Sequence, residues 1–251
     1  MGPEEGPVAF IDMEFGHVYG THRKIVMPIE VGVVTYDPVA DCAAFAGRTF
    51  AHDLEVEIWK SSTDDLGRRT GVMTTVANPG QGTGGLPYDP RFRLNRAGWR
   101  EARAAASASF ADLALFMDAL CTRHDPAAFT FFARSMECRA LDRAGFDLGP
   151  YACTDLQREV GAALGMKNFL SLDRAGCIIG FGKGAGAIRS NHYRYPVPDR
   201  YSPFLSPHRA VGDAARIFLL AREFYASRES FLEEAEAYFS VCDGTSACPR
   251  A

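Results

Sequence analysis

The hydrophobic and polar positions change period several times along the chain, and those changes mark its elements. Val8 to Met13 (VAFIDM) is a short apolar run that ends in acid. Pro28 to Tyr36 (PIEVGVVTY) is rich in β-branched residues and stops at Asp37-Pro38. A third run, near Arg48 to Trp59 (RTFAHDLEVEIW), alternates less cleanly. These runs predict a meander of three strands joined by short polar turns. From Trp99 to Cys121 the period becomes helical. Phe110, Leu113, Phe116, Met117 and Leu120 form a stripe in an alanine-rich background, the pattern of a core-facing helix. Ala127 to Ala133 (AAFTFFA) reads as a buried strand and leads into a helix from Met136 to Gly145, closed by glycine. Beyond it the pattern predicts a strand over Tyr151 to Leu156 and a helix over Leu156 to Leu164. A long helix follows from about His208 through Phe224, then an amphipathic one near Glu229 to Phe239 and a frayed tail.

Two stretches carry no period. Residues 60–98 hold Ser61-Ser62, Asp64-Asp65, the glycine-rich NPGQGTGGLP from Asn78 to Pro87 and several arginines. They read as a long loop with room for a short helix, a length usually reserved for functional or disordered segments. Arg91, Arg93, Arg96 and Arg100 either touch phosphate or form a solvated surface, and the solvated surface is the simpler account. Asp173 to Tyr201 is irregular, with glycines at 176, 180, 182, 184 and 186. No internal repeat is present. Strands first, then helices and strands in alternation, predict an α/β fold: a mixed sheet with helices on both faces. The expected division is one domain over 1–225, with a glycine-rich insertion at about 60–98, and a C-terminal helix and tail over 226–251.

Composition narrows the class. A hydrophobic share of 47% in 251 residues supports a sizeable core, so neither disulfides nor a structural metal is needed to hold it. The formal net charge of −4 and pI of about 5.9 argue against a protein that coats nucleic acid, while leaving room for a local basic channel. The seven cysteines are odd in number and scattered, with no CxxC pair, so neither a zinc site nor a disulfide framework is expected. The N-terminus is acidic where a secretion signal would be basic, and no run approaches the ~18 apolar residues of a membrane span. A cytoplasmic protein with no membrane partner is the expectation.

The candidate chemistry lies in two short motifs. Asp12 and Glu14 stand two apart at the end of the first strand, so both side chains project from one face. Two acids together on an apolar strand are costly unless something positive sits between them, and hard divalent cations take oxygen ligands. Taken alone, such a pair is also what many solvent-facing strand ends carry. The second motif is His208-Arg209-Ala210-Val211-Gly212-Asp213-Ala214. An acid in the first turns of a helix could complete a metal shell, and a neutral histidine just ahead of it could take a proton from water. A helix start with a capping histidine and a surface aspartate would have the same sequence.

Together the motifs carry a resemblance. Phe10-Ile11-Asp12-Met13-Glu14-Phe15, followed by Pro28-Ile29-Glu30-Val31-Gly32-Val33-Val34, and the late His208-Arg209-Ala210-Val211-Gly212-Asp213-Ala214 resemble the DEDDh branch of the RNase H-like 3′→5′ exonucleases. That branch includes proofreading exonuclease subunits and oligoribonuclease-type enzymes. The likeness covers roughly residues 7–222 and fits 60–98 poorly. The middle motif departs from the family's pattern: Glu137, in Ala133-Arg134-Ser135-Met136-Glu137, stands where the family has an aspartate. Asp142 is a poorer substitute, since it would point about 140° away on a helix. Asp155 resembles a structural aspartate of relatives rather than a ligand.

The resemblance implies two-metal phosphodiester hydrolysis with Mg²⁺ or Mn²⁺. Asp12, Glu14, Glu137 and Asp213 would be the metal acids, Glu14 and His208 the catalytic pair, and His208 the base toward water. The expected partner is a single-stranded DNA or RNA 3′ end, with nucleoside 5′-monophosphates as products. Pairing of two chains is a further expectation. The backbone of Met13 and the ring of Phe15 would border the terminal nucleotide. Phe15 would stack on a base, though a core aromatic explains it equally well. The loop Gly180 to Gly186 lacks the Gly-Lys-Ser/Thr ending of a P-loop. It reads as a border of the substrate groove, with Lys183, Arg189 and Arg194 as phosphate contacts. Glu137 also keeps open a catalytically silent relative that only binds nucleic-acid ends, and a hydrolase of small phosphoesters is the third reading.

Overall fold

The computed structural model describes residues 6–19, 24–50, 59–63, 69–75, 86–87, 96–166, 170–179, 199 and 209–244. Its centre is a five-stranded mixed sheet in the order β3-β2-β1-β7-β8. Strands β1 (Val8–Tyr19), β2 (Lys24–Asp37) and β3 (Cys42–Thr49) form the antiparallel meander. Strands β7 (Ala128–Phe131) and β8 (Ala152–Asp155) run parallel to β1. Three further strands, β4 (Trp59–Thr63), β5 (Arg69–Thr75) and β6 (Leu86–Pro87), continue the sheet from the far end of β1 through the pair His17↔Trp59.

Strand alternation sorts the core into two layers. Val8, Phe10, Val34, Tyr36 and Phe45 face one side, and Ile11, Met13, Val31 and Val33 the other. On the second side lies α1 (Arg96–His124), whose Ala102, Ala106, Phe110, Leu113, Met117 and Leu120 recur at helical spacing and are buried, beside α2 (Ser135–Ala144). On the first side lies α5 (Ala210–Ala226), apolar nearly all round and therefore buried from Ala210 to Ala221. It is joined there by α3 (Leu156–Ala163), α4 (Leu172–Ile178) and α6 (Arg228–Gly244), which contributes Phe231 and Ala235 to the same cluster. Phe10 of β1 meets Phe218 of α5 edge-on, ring centroids 5.3 Å apart.

The α/β class with helices on both faces therefore stands, and several elements differ from expectation. The third strand lies at Cys42–Thr49, ahead of the run near Arg48 to Trp59. Residues 60–98 contribute strands and the start of α1, where a loop with a short helix was expected. The irregular stretch after Asp173 begins inside a helix, α4, capped by the Ser171 hydroxyl accepting from the Arg174 N–H. Ala102–His124 is long and apolar enough to cross a membrane by length and composition, which the sequence reading had not anticipated; one face of it packs on the sheet. Cys42, Cys121, Cys138, Cys153 and Cys177 are free thiols.

Candidate metal centre

Parallel strands send their following segments out at one edge, and clefts form outside those carboxyl ends. In register, Ile11 of β1 lies beside Phe131 of β7, which lies beside Asp155 of β8. Asp12 and Glu14 continue β1 just past that line, on the face covered by α5. The opposing positions are Gly32 for Asp12 and Glu30 for Glu14.

Glycine decides how closely α5 can approach. A Cβ on Gly32 would lie 2.1 Å from the Ala210 carbonyl carbon and the Val211 nitrogen, and one on Gly47 would lie 2.1 Å from the Val211 side chain. Gly32 and Gly47 are register partners, so the two glycines form a bare seat across β2 and β3. The first turn of α5 rests on it, beside Asp12. Glu30 fastens that turn: its carboxylate accepts from Arg209 Nε at 3.0 Å and from the Ala210 N–H at 3.2 Å. A carboxylate at a helix N-terminus also complements the helix dipole.

This docking brings Asp213, in the first turn of α5, to the β1 acids. One carboxylate oxygen each from Asp12, Glu14 and Asp213 lies within 4.8 Å of the others. Asp213 Oδ1 also accepts from Arg216 Nη1 at 2.8 Å, and Arg216 Nη2 donates to Asp173 Oδ1 of α4. Burial works against the Arg216 charge, but the neighbouring Asp213 and Asp173 more than offset it and hold the guanidinium above its ordinary range.

Glu137 sits in the first turn of α2, immediately after β7. The connecting turn passes through Ala133 in the left-handed region at φ 64°, with its N–H held by Asp155 Oδ1 at 3.3 Å. Asp155 also caps α3 by accepting from the Arg158 N–H, a structural place on both sides of the turn. Glu137 is only 8% exposed, and its Oε2 has no hydrogen-bond partner among the described residues. Burial pushes its carboxyl up to about 7, opposed by backbone N–H groups and reinforced by the negative charges of Asp155 and Glu14. Asp142, by contrast, is exposed.

The donor set fits a hard divalent cation. It consists of carboxylate oxygens alone, three of them convergent, with a fourth acid buried and one of its oxygens unsatisfied nearby. Asp12, Glu14 and Asp213 are thus brought together, and Glu137 lies close enough for Glu14 to disfavour its ionised form. Met13 and Phe15 project the other way: Met13 is buried and Phe15 half-buried against the α1 layer. His208, Lys183, Arg189 and Arg194 lie outside the described residues. Sequence reasoning passed over Glu30 as a clamp, Gly32 and Gly47 as a seat, and the pair Arg216–Asp173. The signal for Glu30 and Arg216 was the one used for Asp12: a charge inside an apolar element needs a partner.

Among protein-family models, curated proteins and solved structures, none matches the chain.

Proposed function

We propose that the chain is a metal-dependent 3′→5′ exonuclease of the DEDDh type on an RNase H-like fold, acting on single-stranded nucleic-acid ends. The observation that carries the reading is the convergence of Asp12, Glu14 and Asp213, with the buried Glu137 near Glu14 and one of its carboxylate oxygens without a partner among the described residues. The mixed sheet with helices on both faces agrees with it. Asp12, Glu14 and Asp213 would hold the tighter of two Mg²⁺ or Mn²⁺ ions, and Glu137 would reach toward the other. Bound ions would lower the pKa of water and stabilise charge on the attacking and leaving oxygens. The chain's own part is to orient the four carboxylates, Glu137 giving up its proton as an ion binds, and His208 would take the proton from the attacking water.

The test is digestion of a 5′-labelled single-stranded oligonucleotide with Mg²⁺, Mn²⁺ or chelator. The expected result is stepwise 3′ shortening that needs a divalent ion and falls by at least about a hundredfold in His208→Ala, the usual scale of a lost general base. The long reach of Glu137 and its raised pKa favour one rival, a silent binder of nucleic-acid ends. Retained strand binding without shortening under either metal would decide for it.

A further inference from the structure

Arg216 is a buried cation in a helix whose other buried residues, Asp213 apart, are apolar or glycine. It is 6% exposed and lies in the run Ala214-Ala215-Arg216-Ile217-Phe218. A charge in that position is costly unless its donors are used. The guanidinium uses its fork in two directions. Nη1 goes to Asp213 Oδ1 at 2.8 Å, one turn back on α5, and Nη2 goes to Asp173 Oδ1 at 2.5 Å, in the first turn of α4. Asp213 therefore has one oxygen tied to a rigid, planar group, and the carboxylate as a whole is turned to bring a ligand atom within 4.8 Å of Asp12 and Glu14. Asp173 fixes the group that orients one of the three acids in the cluster.

We infer that Arg216 is a positioning residue of the metal centre, and that Asp173 acts through it to make the docking of α4 against α5 part of the metal site. The inference rests on the reading of the acid cluster as a metal centre. Its physical basis is orientation. A carboxylate that rotates freely must be ordered when the ion binds, whereas one already held by a forked donor is not. Charge works in the same direction for the outer residue. Removal of Asp173 takes away one of the negative charges that face Arg216, which raises the positive potential where the cation must sit. Loss of Asp173 therefore weakens cation binding on both counts. Replacement of Arg216 by lysine keeps the charge but gives up the planar fork, so only the orienting part is lost.

The experiment is Mn²⁺ binding to the full chain, followed by the electron paramagnetic resonance signal of free Mn²⁺, for wild type, Asp173→Ala, Arg216→Lys and the double variant. Thermal melting in chelator runs in parallel to verify that each variant is folded. The expected result is that Asp173→Ala weakens binding by roughly tenfold to a hundredfold, the scale of losing an outer partner of a metal ligand. Arg216→Lys weakens it too, and Asp173→Ala costs less in the Arg216→Lys background than in the wild type, because only the charge part remains to be lost. Unchanged Mn²⁺ affinity in folded Asp173→Ala, or losses that simply multiply in the double variant, would overturn the inference. Should Arg216→Lys fail to fold, Asp173→Asn replaces the cycle: it keeps an acceptor for Nη2 and is expected to bind Mn²⁺ more tightly than Asp173→Ala, and equal affinities would overturn the inference. A wild-type chain that binds no Mn²⁺ at all is a different result, since it removes the metal centre itself.

Discussion

The carboxyl of Glu137 is the residue on which pH acts most directly. Its folded value of about 7 stands above the ordinary 4.5, so the folded chain keeps a proton that the unfolded chain gives up in that window. Stability from this group is complete below pH 4.5 and is lost as pH rises toward 7, a change on the order of 3 kcal/mol for a shift of this size. In chelator, then, the wild-type melting temperature should fall between pH 4.5 and 7 more steeply than that of Glu137→Gln, and above pH 7 the glutamine variant should be the more stable protein. A divalent ion reverses the balance, because it needs the ionised carboxylate. Mn²⁺ should therefore raise the wild-type melting temperature more than that of the variant at pH 8. Parallel melting curves across the whole range, with and without metal, would show that Glu137 neither titrates there nor meets the ion.

At the scale of elements, the site depends on how closely α5 lies against β2. The obstacle a side chain at Gly32 would meet is backbone, at 2.1 Å, which cannot rotate aside. Gly32→Ala should lift the first turn of α5, cost about 1–3 kcal/mol as overpacking does, and carry Asp213 away from Asp12 and Glu14. Mn²⁺ affinity should drop at least tenfold by the outer-partner scale already used. Gly145→Ala is the control. That residue ends α2 at φ 83° with nothing within 4 Å of its missing Cβ, so the change should cost about 1 kcal/mol through the backbone and leave metal affinity alone. Equal metal affinity in Gly32→Ala and wild type would mean that the glycine seat does not set the site. The same scale explains what the sequence could convey. Runs such as VAFIDM and the α1 stripe are long or strongly patterned, and they fold as their period says. The strand Cys42–Thr49 (CAAFAGRT) hid because small, half-exposed residues blur alternation, and α4 hid because seven residues hold too few turns to show a period.

Over the whole molecule, the fold gathers acids from positions 12, 14 and 213 into one cluster and sets position 137 beside it. Asp12, Glu14 and Asp213 were singled out by the resemblance that their two motifs carry together; an acid in an apolar element alone left the choice open. Their supports were not: Glu30 and Arg209 are 179 residues apart, and no local pattern reveals such a pairing. Glu137 was legible as a position but not as a buried, raised acid, because burial depends on where α2 docks after the Ala133 turn. What joins these pieces into one account is the proposal that the cluster hydrolyses a strand from its 3′ end. The most direct measurement is the first product released from a 3′-end-labelled single strand with Mn²⁺ by wild type, Asp12→Asn and Asp213→Asn, with folding of each variant verified by thermal melting. The account predicts labelled nucleoside 5′-monophosphate from the wild type and a loss of its release by at least about a hundredfold in either variant, as for removal of other charge-stabilising groups. Labelled fragments longer than one nucleotide as the first product, or equal release by the aspartate variants, would contradict it.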